Sequence, residues 1–281
     1  MTAAVDIRPS PIAGHWYTAD PLRLRKQVSG YLDGARLPDL PGSVVAIIAP
    51  HAGYRYSGRT AGYAFAAVRG AAPELVAILS PMHQPYPGNV LTTAHRAYAT
   101  PLGAVWVDGE ARDQLESELA AEDLDLTRVA NDSEHSLEIE LPFLQVALAG
   151  DFRILPVMVR SQSPLAAQRV GQAIARVLKG RAALIVASSD LSHFYPEPKA
   201  CELDAEMLRR IQGFAPEDLF EAERSGKGYA CGLAAVAAAL WAARDLGADS
   251  IEILHHSTSA DETGDRSSVV GYGAAAVLKI L

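Results

Sequence analysis

Three segments of this chain end alike: an apolar stretch with the character of a buried strand runs straight into a polar residue able to hold a metal. VVAIIAPHAGY carries His51, LVAILSPMH ends at His83, and LIVASSDLSH carries Asp190 and His193. Apolar runs without polar alternation belong to strands buried on both faces, the situation of a parallel sheet covered by helices. The carboxyl ends of such strands lie side by side, so residues distant in sequence meet in one crevice.

The rest of the chain supplies the alternation such a sheet needs. Pro21 to Leu32 is predicted as a helix, Val44 to Ala49 as a strand, Arg59 to Val68 as a helix of small residues, and Leu75 to Ser80 as the next strand. His51 and His83 are 32 residues apart, the length of one strand-helix-strand unit, which puts both beyond the ends of neighbouring parallel strands. Val90 to Thr93 and Val105 to Val107 follow as strands, then Gly109 to Glu122 as a helix with a charged outer face. Asn131-Asp132-Ser133 is a helix start signal, so Glu134 to Leu148 is predicted helical. Strands Arg153 to Val159 and Ala182 to Ala187 enclose a helix over Pro164 to Leu178. Helices Lys199 to Ile211, Pro216 to Ser225 and Gly232 to Leu246 precede the strands Ile251 to Leu254 and Val269 to Val277. The whole, residues 1–281, reads as a single α/β domain with a mostly parallel central sheet flanked by helices.

Composition narrows the function. A hydrophobic content of 49% with 21% charged residues suits a globular core, and a net charge of -8 without a basic run argues against nucleic acid. The longest apolar run, Leu233 to Ala243, is too short to span a bilayer, and the N-terminus lacks a signal-peptide core, which points to the cytoplasm. In that reducing compartment Cys201 and Cys231 are not expected to pair.

His51 follows a proline and precedes Ala52-Gly53, small neighbours that let backbone crowd toward a ligand, and His83 occupies the equivalent place one unit later. Cys231 stands just before an alanine-rich helix, whose N-terminus biases a thiol toward thiolate. The opposing reading makes it a small buried hydrophobe. Cys201, at the start of a charged helix, is read as incidental. Asp190 and His193 offer a carboxylate and an imidazole suited to orienting a ligand or moving protons, with Asp190 as a plain turn cap the alternative. On the predicted helix His135 and Glu138 lie one turn apart, either solvated or facing a cleft.

Taken together, Pro50-His51-Ala52-Gly53-Tyr54, Ser80-Pro81-Met82-His83, Glu134-His135-Ser136-Leu137-Glu138, Ser188-Ser189-Asp190-Leu191-Ser192-His193 and Ala230-Cys231-Gly232 resemble, in order and spacing, the Memo family. Its bacterial members are also named AmmeMemoRadiSam system protein B. The segments at Ala13-Gly14-His15-Trp16-Tyr17 and Ser267 to Tyr272 extend the likeness over nearly the whole chain. The resemblance implies a fold similar to class III extradiol dioxygenases, with His51, His83 and Cys231 at the metal-binding positions and Asp190 and His193 nearby. Where many members carry two histidines after the second strand, this chain has His83-Gln84. Two imidazoles and a thiolate leave coordination positions open, as a catalytic centre needs. Iron(II) is the expected metal, with copper or zinc admitted by the sulfur. The activity implied is oxygen-dependent redox chemistry on a small, aromatic molecule, with His193 moving protons, Asp190 orienting it and His135 assisting. A metal-handling or peptide-binding protein without turnover and a hydrolase with Cys231 as nucleophile are the alternatives.

Overall fold

Where the chain is apolar on every residue of a short run, the structure has a central strand. The structure, a computed structural model, describes residues 6–280. In chain order its elements are β1 (Ile7–Arg8), α1 (Pro21–Gly34), β2 (Ser43–Ala49), α2 (Tyr54–Ala66), β3 (Leu75–Ser80), β4 (Val90–Thr93), β5 (Ala97–Thr100), β6 (Gly103–Trp106), α3 (Gly109–Ala120) and β7 (Leu126–Val129). A 3₁₀ turn (Glu138–Glu140) leads into α4 (Leu141–Ala147), followed by β8 (Arg153–Val159), α5 (Pro164–Leu178), β9 (Ala183–Ser188), β10 (His193–Tyr195) and α6 (Glu197–Gln212). Then come α7 (Pro216–Arg224), α8 (Leu233–Asp245), β11 (Ser250–Thr258), α9 (Ala260–Thr263) and β12 (Val269–Lys279).

The large sheet has the order β10-β12-β2-β9-β3-β8-β4-β7, with β11 paired to β12; β1, β5 and β6 form a small separate sheet. Strands β2, β9, β3 and β8 run parallel at the centre, and antiparallel pairs β12 with β2 and β4 with β8 flank them. Successive residues of a strand point to opposite faces. Accordingly Ile47 and Ala49 pack with α1, α2 and α4, while Ala46 and Ile48 pack with α5 and α8 on the other side. Helix α8 is buried nearly all round because it lies between the sheet and α5 and α7. Its close seat needs Gly171 of α5, where a Cβ would come within 2.5 Å of the Ala238 carbonyl oxygen. Among the described residues no helix is long and apolar enough to cross a membrane.

Two local expectations are corrected. Strands β2 and β3 are not neighbours: β9 lies between them, with Ala49 in register with Ser188 and Leu79 with Ala187. Chain order does not decide sheet order, because β9 is as apolar on both faces as the strands it separates. The predicted helix over Glu134 to Leu148 is reduced to the 3₁₀ turn and α4. Its first residues instead form a loop whose amides find an acceptor off the helix: the Glu134 carboxylate accepts from the backbone N–H of His135 and Ser136 at 2.9 and 3.0 Å. His135 and Glu138 therefore share no helix face.

Candidate metal centre

His51 sits in the loop between β2 and α2, fully enclosed. Its backbone N–H donates to Asp190 Oδ1 at 2.8 Å, its Nδ1 meets Ser188 Oγ at 2.9 Å, and its Nε2 lies 3.1 Å from Cys231 Sγ. With Nδ1 engaged by serine, Nε2 is the nitrogen turned toward the thiol. The inserted strand β9 makes this possible, since Ser188 and Asp190 emerge at its carboxyl end directly beside β2.

His83, in the loop after β3, is held by Glu134 twice. Its backbone N–H donates to Oε2 at 2.5 Å and its Nδ1 to Oε1 at 2.9 Å. A carboxylate that orients one ring nitrogen of a histidine and leaves the other free is the common support of a metal ligand. Burial lowers the pKa of His83, but the hydrogen bond and charge of Glu134 outweigh it and leave the ring above its ordinary value. For Glu134 burial works upward, and His83 together with the backbone N–H of Ser136 overrides it and holds the carboxyl well below its usual range. His83 is open to solvent while Glu134 behind it is buried.

Cys231 is strapped to the end of β9. Its N–H donates to Asp190 O at 3.2 Å, and the next N–H, of Gly232, donates to Ser189 Oγ at 2.9 Å. Only glycine fits at 232, where a Cβ would stand 2.5 Å from Ser188 O and 2.8 Å from Ser189 Cβ. The sequence-based expectation of a thiolate fails for the protein alone: α8 starts at Leu233, and burial, followed by the charge of Asp190, pushes the Cys231 thiol well above its ordinary pKa. A cation at the site reverses that balance, because a coordinated thiol gives up its proton.

The ligand atoms of His51, His83 and Cys231 all lie within 4.8 Å of one another. Two neutral-capable imidazoles and a sulfur around one point fit a single ion with vacant positions. His83, Glu134 and His135 form a second group of the same span. Its Glu134 oxygens are already taken by His83 and by backbone N–H groups, so the first group is the better cage. His51 is held well below the ordinary imidazole pKa by burial and by its neighbours His135 and His83.

The three proton-handling candidates surround this point in different ways. His135 stacks on His83 with ring centroids 4.8 Å apart and meets Trp16 in a tilted contact at 4.1 Å. Burial, with the charge of His83, brings its pKa down to about 4. Asp190 is buried, which raises its carboxyl to about 7 against the pull of the His51 and Ala52 amides. It does not orient His193, contrary to the sequence reading; it holds the His51 backbone. His193 is oriented by the Leu191 carbonyl, 2.8 Å from Nδ1. A carbonyl only accepts, so Nδ1 carries the proton and Nε2 keeps a lone pair.

A cleft of about 490 Å³ adjoins the centre, lined by Ala52 and Gly53 just past His51 and by Trp16, Tyr56, Phe194 and Tyr272. Phe194, next to His193, is 73% exposed and adopts a φ of +63°, the left-handed region that bulky residues avoid. His15 also lines this cleft, whereas the amide of Gln84 is turned to the Ser133 hydroxyl. Sequence reasoning missed Glu134 as the support of His83, and it missed Ser188, Glu140 and Arg8. Arg8 is buried against Glu138 at 2.6 Å and Asp132 at 2.8 Å, and its guanidinium also donates to Glu134 O, which pins the loop carrying Glu134 and His135. A signal was present: a run with Asp132, Glu134, Glu138 and Glu140 between apolar residues needs buried partners.

Residues 8–276 match the family model described as Memo-like protein. A MEMO1 family protein of Nitrosopumilus maritimus is 35% identical over 273 residues, covering 95% of this chain and 98% of its own. Another, of Methanothermobacter thermautotrophicus, is 36% identical over 275 residues, with 95% and 98% covered. Among solved structures, the uncharacterized protein JW3007 from Escherichia coli K12 aligns with a TM-score of 0.53 at 15% identity, over 83% of this chain and 99% of that one, a likeness of fold alone.

Proposed function

The chain belongs to the Memo family, and from that premise we propose that it binds one metal ion through His51, His83 and Cys231 and performs oxygen-dependent redox chemistry on a small aromatic molecule. The observation that carries this reading is the meeting of three donors from three separate loops within 4.8 Å. Each histidine has its other ring nitrogen already engaged, by Ser188 and by Glu134. Iron(II) is our assignment for the ion, with copper(I) and zinc as the alternatives that a sulfur donor suits. When bound, iron or copper would supply Lewis acidity and a redox couple toward O₂, and zinc Lewis acidity alone.

The residues of the chain supply the remainder. Trp16, Tyr56, Phe194 and Tyr272 line the cleft and give a planar substrate an aromatic wall. His193, with Nδ1 fixed on Leu191 O, presents Nε2 as the acceptor for a substrate hydroxyl proton. Asp190, with its pKa at about 7, is a second proton store beside His51. A cysteine hydrolase needs a thiolate beside an imidazolium. That charge state is opposed on both sides here, because burial raises Cys231 and lowers His51.

Metal analysis of anaerobically purified protein tests the reading. Wild type is expected to carry close to one ion per chain, and His51→Ala, His83→Ala and Cys231→Ser are expected to lose it. Full occupancy in all three variants overturns the site. Oxygen uptake with catechols and aminophenols then tests turnover; a loaded protein that consumes no oxygen with any of them supports a binding role without catalysis, and the enzymatic half of the proposal falls.

A further inference from the structure

The Ser188 hydroxyl is a junction with three neighbours and one proton. Its Oγ lies 2.6 Å from Ser136 O, 2.8 Å from Glu140 Oε1 and 2.9 Å from His51 Nδ1. The Ser136 carbonyl has no proton to give, so this shortest contact takes the hydroxyl proton. The serine oxygen is then an acceptor toward both remaining neighbours. His51 meets that demand with Nδ1–H. Glu140 meets it only if Oε1 carries a proton.

The surroundings of Glu140 favour the same state. It closes the 3₁₀ turn, is 1% exposed, and forms no salt bridge among the described residues. Its Oε2 is buried without a hydrogen-bond partner among them. The charged neighbour that acts on it is Asp190, another acid, and the phenol of Tyr54 is spent on Ile139 O. As a carboxylate it would be an unpaired buried anion with an unpaired oxygen; as an acid it leaves only one neutral carbonyl oxygen without a partner, a far smaller cost.

We propose that Glu140 is a carboxylic acid in the folded protein and that its proton, donated to Ser188, makes it a neutral positioning residue behind His51. Ser188, its one proton on the Ser136 carbonyl, faces His51 with a lone pair, which fixes the ring as the Nδ1–H tautomer and leaves Nε2 free beside Cys231, and the acid form of Glu140 keeps this support uncharged. The two imidazoles are thereby differentiated: His83 is backed by an ionised carboxylate and His51 by an uncharged chain. The positional consequence rests on the reading of His51 as a metal ligand, whereas the location of the proton does not.

Infrared difference spectroscopy of the metal-free protein, wild type against Glu140→Gln, reads the proton directly. The expected result is the loss of one band in the carboxylic-acid carbonyl region; loss of a carboxylate band in its place overturns the proposal. Titration with iron(II) alone under anaerobic conditions reads the consequence. In Glu140→Gln a side-chain amide N–H replaces the acid O–H, so the affinity of this variant is expected to stay within about threefold of wild type, while Glu140→Leu leaves Ser188 without that donor and weakens binding about tenfold or more. Equal weakening in both variants overturns the positioning role. If Glu140→Leu does not fold, the infrared pair and the Glu140→Gln titration decide alone. A wild-type protein that takes up no iron(II) overturns the metal reading, and the infrared result still decides the proton.

Discussion

His51 and His83 are imidazoles at matching strand ends, yet their settings are opposite. His83 is exposed and leans on an ionised Glu134, which raises its pKa against the effect of burial. His51 is enclosed, kept neutral by burial, and leans on Ser188. The carboxyl behind that serine gives a pH dependence with a definite sign. Burial, partly offset by the Ser188 hydrogen bond and reinforced by Asp190, raises Glu140 well above the usual carboxyl value. The folded protein therefore keeps a proton that the unfolded chain releases, and the stability this group supports below the ordinary carboxyl pKa is lost as pH climbs toward the raised one. Glu140→Gln carries no such dependence. Its stability relative to wild type is expected to grow by up to about 1.4 kcal/mol per pH unit above the ordinary carboxyl pKa, as measured by urea unfolding of the metal-free proteins from about pH 5 to 8. A pH-independent difference would show that Glu140 is ionised in the fold.

At the scale of elements, the loop between β7 and the 3₁₀ turn has the largest influence on the site for its size. It carries Glu134 and His135, and its shape comes from a long-range anchor: Arg8 of β1 enters the interior and binds Asp132, Glu138 and the Glu134 carbonyl. The hydroxyls of Ser10 and Tyr17 donate to Glu138 Oε1 and complete the donors around that carboxylate. Burial still raises the Glu138 carboxyl despite Arg8, so the pair depends on all of these bonds together. Arg8→Leu leaves two buried carboxyl groups without their cation and is expected to cost about 3–5 kcal/mol. Thermal unfolding checks the magnitude, and the variant should also loosen His83 and His135, visible as line broadening of their ring proton resonances. An unfolding temperature equal to wild type would remove Arg8 from the account.

Over the whole molecule, the parallel centre of the sheet collects every candidate ligand at one end. A larger cavity, about 680 Å³, is lined by Arg25, Trp106 and Arg153 near the start of β8, at the opposite end, and none of the three donors borders it. A metal bound only by the folded state adds stability through mass action, about 2.7 kcal/mol at a hundredfold excess over its dissociation constant. Iron(II) is therefore expected to raise the unfolding temperature of wild type by several degrees and to leave His51→Ala unmoved; scanning calorimetry under anaerobic conditions distinguishes the cases, and an equal shift in both places the metal elsewhere. The α/β class and the strands β2, β3, β8 and β9 were legible in the chain because burial on two faces demands unbroken apolar runs, a local property. The polar residues that end three of those runs marked the crevice for the same reason. Tertiary structure alone decided that β9 separates β2 from β3, that Glu134 serves His83 from a loop, that Asp190 holds His51 and not His193, and that Arg8 reaches Glu138 across 130 positions. A polar group takes its partner by proximity in space, and spacing along the chain does not encode which distant segment arrives there.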